Sequence, residues 1–385
     1  MWRAVASNAI TLLMVALFLL GGVILWGQSE YKAAGPLQEA ICLQVPRGST
    51  MARVSGDLQT QGAISNDVIF RLGADYTDKA QDLKAGSFLV PPGASMAEIV
   101  DIITRGGASS CGTEVVYRIG VARVTFELRE LDSATSRYVE KAEFDPAEGA
   151  MPEAFQQASA QAGTRHRVAL AEGVTSWQVV EGLKAIDLLQ GEVPELPAEG
   201  ALAPDSYEFQ AGDTRVEVLG RMAAAQDAIL AAAWEARAPG LPLSSPEEAL
   251  ILASIIEKET AVAEERRVVA SVFVNRLNRG MRLQTDPTVI YGITQGQGIL
   301  GRGLRQSELR RETPWNTYVI PALPPTPIAN PGRASIEAAL NPEQTDFVFF
   351  VADGTGGHVF AKTLAEHNAN VAKWRKIEAE RRAQD

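Results

Sequence analysis

The sequence predicts an α+β fold: an apolar N-terminal helix, β-turn-α units, and a mostly helical C-terminal domain with a small β-hairpin. Three observations predict it. Residues 4–29 contain no charged side chain, and residues 9–26 are almost wholly apolar. A strand, a Gly turn, a hydroxyl residue and an amphipathic helix recur in that order from residues 45, 89 and 170. A charge-free run over residues 249–256 then leads into Glu257. With 385 residues, 46% of them hydrophobic, the chain can bury a sizeable core in two or three domains.

The first run has roughly the length needed to cross a bilayer. Trp2 and Trp26 bracket it as interfacial aromatics do. A cleaved signal peptide is the competing reading. Its apolar region is usually shorter, and Trp26-Gly27-Gln28-Ser29 offers no small-x-small cleavage site, which favours an uncleaved anchor. Arg3 and the amino terminus favour the inside, while Glu30 and Lys32 nearly cancel beyond the run. Residues 1–28 therefore read as a cytoplasmic tip and transmembrane anchor, and 29–40 as a linker broken by Gly35-Pro36.

The net charge of −11 argues against a nucleic-acid surface, which would be basic. Cys42 and Cys111 are the only cysteines; a disulfide and two free thiols both fit their spacing. With no Cys-x-x-Cys, no His-Glu-x-x-His, and only His166, His358 and His367, no metal site is expected.

The repeated units have hydroxyl N-caps around residues 49–50, 95 and 175, and their helices are expected to stop near Gly62, Gly106 and Gly191. Between the second and third, residues 114–119 and 123–131 alternate as strands. Residues 132–165 are polar and rich in Ala and Glu, and read as a solvated insertion. Residues 215–237 form an Ala-rich helix, joined by the breaker-rich segment 239–243 to the helix carrying Glu257.

That helix starts with Ser245 as N-cap, Pro246 at the first position and Glu248 as the reciprocal capping acid. Being apolar on nearly every side, it should be buried. Glu257 lies one turn from Ala253, Ser254, Thr260 and Ala261, small neighbours that leave space above its carboxylate. A carboxyl so placed should have a raised pKa and serve as a general acid near neutral pH. The alternative is that Glu257 begins the solvated helix end with Lys258 and Glu259. A second helix follows from residue 264 and stops at Gly280. Residues 346–351 and 358–361 form a hairpin, and Thr363 with Glu366 makes a capping box for the last helix.

Several segments carry a resemblance: Glu257-Lys258-Glu259-Thr260, Gln284-Thr285-Asp286-Pro287-Thr288, Leu323-Pro324-Pro325, Asn330-Pro331-Gly332, and Ala352-Asp353-Gly354-Thr355-Gly356-Gly357-His358. In this order, over residues 250–368, they resemble the MltG (YceG-like) family of endolytic murein transglycosylases. Leu202-Ala203-Pro204-Asp205-Ser206-Tyr207-Glu208-Phe209 is similar to the family's L-x-P-D-T-Y-x-F signature, with Ser206 where Thr is usual.

The resemblance implies a LysM-like glycan-binding domain over 41–113, strands and a family-atypical insertion over 114–165, a second LysM-like and helical connecting region over 166–240, and a catalytic domain over 241–385. It implies Glu257 as the catalytic acid, cutting the MurNAc-GlcNAc β-1,4 bond with 1,6-anhydroMurNAc formation and without metal or cofactor. Its partners would be peptidoglycan glycan strands, the inner membrane through residues 9–26, and peptidoglycan synthases. The bulk would be periplasmic, and the reaction would terminate nascent strands.

Candidate sugar-binding residues are Gln284, Asp286, Tyr291, Asn316, Tyr318 and His358, each with a structural alternative: core or turn packing, a hairpin flank, or, for Asp286 before Pro287, an N-cap. Two other function classes compete. A Ser hydrolase would use Ser254, but no G-x-S-x-G elbow surrounds it. A non-catalytic, membrane-tethered peptidoglycan-binding protein would not depend on Glu257.

Overall fold

The computed structural model describes residues 2–46, 48–105, 111–132, 135, 137–160 and 164–382. The chain divides into two compact units: Met1–Val115 with Glu127–Glu143 and Met151–Arg165, and Val116–Phe126 with Phe144–Ala150 and His166–Asp385.

In the first unit, α1 (Trp2–Lys32) contains a stretch, Leu12–Lys32, that is long and apolar enough to cross a membrane, with mean hydropathy 2.0. Its last turn enters a folded core. Tyr31 is buried, and its ring sits where a Cβ on Gly73 would be. The expected linker is equally engaged: Leu37 is buried, and the Gly35 N–H donates to the Gly93 carbonyl at 3.1 Å. Then come β1 (Ile41–Val45), α2 (Met51–Thr60), α3 (Asp67–Tyr76), β2 (Gly86–Val90) and α4 (Met96–Thr104). β1 and β2 pair antiparallel, Leu43 opposite Phe88. Leu43, Val54, Leu58, Phe70, Val90, Ile99 and Ile103 make the core.

The hydroxyl caps are as expected. Thr50 accepts from the Arg53 N–H, and Ser95 forms a capping box with Glu98. Helix α2 stops before Gly62, whereas the expected stop at Gly106 lies outside the described residues. A disulfide joins Cys42 to Cys111, Cα atoms 5.7 Å apart. β3 (Thr113–Ile119) and β4 (Val124–Asp132) contribute residues to both units, and β5 (Arg137–Phe144) pairs with β4. α5 (Glu153–Ala160) follows, with Phe155 and Ala158 buried. The insertion is thus more than the solvated excursion expected: its few apolar residues are spaced to give α5 a buried face.

In the second unit, strands run in the order β4-β3-β6-β7, with β6 (Arg165–Leu170) antiparallel to β7 (Ser206–Phe209). α6 (Ser176–Lys184) has a capping box of Thr175 and Gln178. It ends well before Gly191, because the chain turns at Ala185. α7 (Arg215–Glu235) leads to α8 (Pro246–Glu259) and α9 (Arg266–Asn278), then α10 (Asp286–Thr294), the short α11 (Gln306–Leu309) and α12 (Arg333–Leu340). The hairpin of β8 (Phe349–Ala352) and β9 (His358–Ala361) and the helix α13 (Leu364–Arg382) complete it.

Ser245 caps α8 by accepting from the Glu248 N–H. The return bond runs from the Ser244 N–H rather than from Ser245, a one-residue shift from the expected capping box. The apolar run packs as predicted, Leu252, Ile255 and Ile256 against Val269, Phe273, Ile336 and Leu340. Burying such a side chain is worth about 1.5–3 kcal/mol, so this cluster fixes where α8 ends and where Glu257 points.

Candidate active site

Glu257 lies in the last turn of α8, half-buried, and its Oε2 accepts the Gly332 N–H at 2.9 Å. Gly332 is the N-cap of α12 and the last residue of the Asn-Pro-Gly segment. A helix N-terminus favours a carboxylate, so one oxygen of Glu257 is held by the backbone. The other accepts no hydrogen bond among the described residues. A cavity of about 440 Å³ opens here, lined by Glu172, Gly173, Glu257, Lys258, Thr260 and Arg266 among others. Space above the acid, the sequence expectation, is present. Ser254 does not help to make it: its hydroxyl donates to the Ile251 carbonyl and accepts the Ile328 N–H.

The opposite wall is the turn before α6. Gly173 takes φ +78°, a left-handed conformation that favours glycine, and its Cα faces the stems of Glu257 and Lys258. Asn330 fastens this turn. It is fully buried, its side-chain carbonyl accepts the Leu202 N–H, its amide donates to the Val174 carbonyl, and its backbone carbonyl accepts the Gly173 N–H. The Asn-Pro-Gly segment therefore orders the wall through Asn330 and holds the acid through Gly332.

Two cations approach the cavity. Lys258 donates to the Gly173 carbonyl at 3.2 Å, and burial lowers its pKa against the opposing pull of Glu257 and Glu199. Arg266 pairs with Glu172, 3.5 Å between Nη2 and Oε2. Burial and then the charge of Glu257 push the Glu172 carboxyl above its ordinary range, and Arg266 offsets part of this. Glu259 turns away from Glu257, as its position two residues on requires, and accepts the Thr285 hydroxyl. Its carboxyl is also raised, mainly by burial.

The other expected residues separate into groups. Thr285, not Asp286, occupies the N-cap of α10; Asp286 is one position inside because Pro287 takes the second helical position rather than the first. The Asp286 carboxylate instead accepts the Tyr318 hydroxyl at 2.7 Å. Gln284 is exposed with φ +50° beside them. Asn316 is fully buried, and its amide serves the carbonyls of Glu308, Leu309 and Arg311, leaving no donor for a ligand. Tyr291 donates to Glu199 at 3.3 Å and lines a second cavity of about 320 Å³, to which Lys258 also contributes.

His358 is held by Glu265. Its backbone N–H lies 2.8 Å from one carboxylate oxygen and its Nδ1 2.7 Å from the other. The Thr260 hydroxyl donates to the same carboxylate at 3.3 Å. Glu265 thus ties the hairpin to the end of α8. Glu172, Glu199, Glu265, Arg266 and Asn330 were not singled out from the sequence as site residues. Asn330 belongs to a segment that carries the resemblance, though without a role; no local pattern marks the other four, whose partners are distant in sequence.

The sequence model of the YceG-like family matches residues 43–373. The chain belongs to this family. Across 360 residues it is 27% identical to the endolytic murein transglycosylase of Bacillus subtilis, covering 92% of this chain and 91% of the relative. Over 340 residues it is 29% identical to the endolytic murein transglycosylase of Streptococcus pneumoniae. That match takes in 86% of this chain but 58% of the longer pneumococcal protein. A crystal structure of a YceG-like protein from Listeria monocytogenes is 26% identical, with TM-score 0.44, covering 86% of this chain and 99% of that one.

Proposed function

We propose that this YceG-like protein is a membrane-anchored endolytic murein transglycosylase with Glu257 as its catalytic acid. The observation that carries the reading is Glu257 itself: a carboxylate at the end of a buried helix, held by the Gly332 N–H and opening on a cavity. The reaction needs one group that gives and then takes a proton. The Glu257 carboxyl protonates the glycosidic oxygen between MurNAc and GlcNAc, and the bond from C1 to that oxygen breaks. The 6-hydroxyl of the MurNAc residue then forms the new bond to C1, and its proton returns to Glu257. The 1,6-anhydro end forms without water.

Gln284, Asp286 and Tyr318, near one another at the start of α10, are the polar groups this reading assigns to sugar hydroxyls. Tyr291 in the neighbouring cavity supplies a ring face. His358 acts through Glu265 rather than on the glycan. The β1-α2-α3-β2 arrangement supports a LysM-like, glycan-binding first unit. The apolar α1 supports a single-pass anchor in the inner membrane, and the Cys42–Cys111 disulfide supports an oxidising compartment outside the cytoplasm. An anchored enzyme of this kind would meet nascent strands beside the synthases that make them, and cutting them would end their elongation.

The test is mass spectrometry of peptidoglycan digested by the full chain in detergent, wild type against Glu257→Gln. Anhydro-ended fragments from the wild type alone are expected. Reducing ends would make it a hydrolase, and glycan binding without cleavage by either protein would make it a tethered binder.

A further inference from the structure

Outside α1, the described residues of the first unit expose four large apolar side chains, and three of them stand in one row. Val68, Leu72 and Tyr76, spaced four apart on α3, are 49%, 63% and 80% exposed. Side chains at that spacing share one helix face. Phe70 and Ala74, on the opposite face, are fully buried, so the row points away from the core of the unit. The charged residues of the helix stand to one side of it. Asp67 pairs with Arg71, and Arg71 and Asp75 line a cavity of about 400 Å³ with the start of α2. The apolar row lines no part of that cavity. A single exposed apolar residue needs no explanation, but a contiguous row does.

What can cover this row is set by α1. Trp26 closes the apolar run, and Tyr31 lies five residues further on, about 7.5 Å along a helix axis. The polar layer between hydrocarbon and water is about as thick, roughly 5–7.5 Å on each side. Tyr31 packs on Gly73, so α3 meets the anchor at headgroup depth. Two contacts give the direction of α3. The Ser65 hydroxyl, just before the helix, donates to the Glu30 carboxylate at 2.6 Å, and Gly73 meets Tyr31. Points eight residues apart, about 12 Å or more, thus meet consecutive residues of α1, about 1.5 Å apart along its axis. A helix running alongside α1 would not do this. α3 therefore lies across the end of α1, parallel to the bilayer surface when α1 spans it. A side chain on such a helix reaches about 5–6 Å from its axis, far enough to enter the headgroups.

We propose that α3 is a second membrane contact: Val68, Leu72 and Tyr76 insert into the headgroup layer of the bilayer that α1 spans, and hold the first unit against it. Amphipathic helices bind lipid in this way, lying in the interface with one apolar face buried to about 5–10 Å. Tyr76 suits the depth, having an apolar ring and a polar tip. The charges beside the row, two Asp and one Arg, give no attraction to anionic lipid, so apolar area drives the contact. Three side chains bind weakly by themselves. Their link to α1 makes the binding intramolecular, which raises the effective concentration of lipid at the row. Held at two points, the first unit no longer swings freely on its anchor. The inference rests on the reading of α1 as a membrane anchor.

The experiment places the full chain in phosphatidylcholine nanodiscs with an environment-sensitive fluorophore on Leu72→Cys. The native cysteines are joined in the disulfide, so the label goes to one site. Blue-shifted emission, quenched by a nitroxide at the lipid headgroup and unchanged by salt, is the expected result. Val68→Ser with Tyr76→Ser, both at exposed positions, should keep the fold and remove most of the shift and the quenching. A separate label on Phe18→Cys, in α1, should be quenched by a nitroxide deep in the acyl chains. Quenching at Phe18 with aqueous, unquenched emission at Leu72 overturns the docking and leaves the anchor in place. Blue-shifted emission at Leu72 that lipid nitroxide does not quench, and that needs two chains in a disc, makes a second copy the occupant and overturns it as well. So does quenching that salt abolishes or that the double variant leaves intact. No quenching at Phe18 fails the anchored reading, and the docking with it.

Discussion

The Gly332 N–H and the Glu257 carboxylate, 2.9 Å apart, join the start of α12 to the end of α8. The bond fixes one oxygen and leaves the other to exchange a proton. It also explains why an apolar helix ends in an acid: the backbone donor compensates part of the cost of placing a carboxylate against a buried cluster.

Glu257→Gln tests that arrangement. The amide oxygen can still accept from Gly332, so thermal stability should change little. The proton donor is gone, however, and anhydro-end formation should fall by about 10²–10⁴-fold. A melting curve and a product assay on the same preparation check both halves. A variant that retains activity within tenfold would move the acid to another residue.

Asn330→Ala should behave in the opposite way. It strips the Leu202 N–H of its partner inside a region closed to water, whereas the Val174 carbonyl keeps the Asn330 backbone N–H. A buried polar group left unpaired costs roughly 1–3 kcal/mol, so a loss of about 1–3 kcal/mol in chemical denaturation is expected. The turn carrying Glu172 and Gly173 would loosen with it. A loss below about 1 kcal/mol would mean that water replaces the amide.

What the sequence made legible follows from which interactions are local. Ser245, Pro246 and the run to Ile256 act within a turn or two of one another, so the start and burial of α8 could be read directly. The three hydroxyl caps and the hairpin at β8–β9 are local in the same sense. Glu172 and Glu257 are 85 residues apart in sequence, yet they line one cavity and both pack at Gly332. Arg266 and Glu265 look like ordinary helix-start charges, yet one faces Glu172 and the other binds His358. Asn316 misled because an amide in a polar segment offers the same signal whether it faces a ligand or, as here, three carbonyls. Asp286 missed the cap by one residue, since a proline fits either of the first two helical positions.

The disulfide gives a prediction for the first unit. Cys42 and Cys111 are separated by 69 residues. Closing a loop of that size restricts the unfolded chain by about 4 kcal/mol on the chain-entropy account. The Cys42→Ala, Cys111→Ala double variant should therefore unfold at lower denaturant than the oxidised protein, as should the reduced wild type. Near-coincident curves for oxidised and reduced protein would show that the bond contributes little.

His166 gives the pH prediction. Its ring is buried in the second unit beside Phe209, with Nδ1 3.2 Å from the Tyr117 hydroxyl, and burial lowers its pKa from 6.5 to about 4. A folded-state value below the unfolded one means the unfolded chain binds more protons between pH 6.5 and about 4. The neutral ring's contribution is thus fully present above pH 6.5 and is lost as pH falls through that window. Over the full interval the loss is roughly 3 kcal/mol. Urea midpoints for the wild type should fall between pH 7 and pH 4.5. In His166→Gln, which keeps a polar partner for Tyr117 but cannot titrate, the decline should be shallower by that amount. Equal slopes in the two proteins would place the acid sensitivity on other groups and remove His166 from the account.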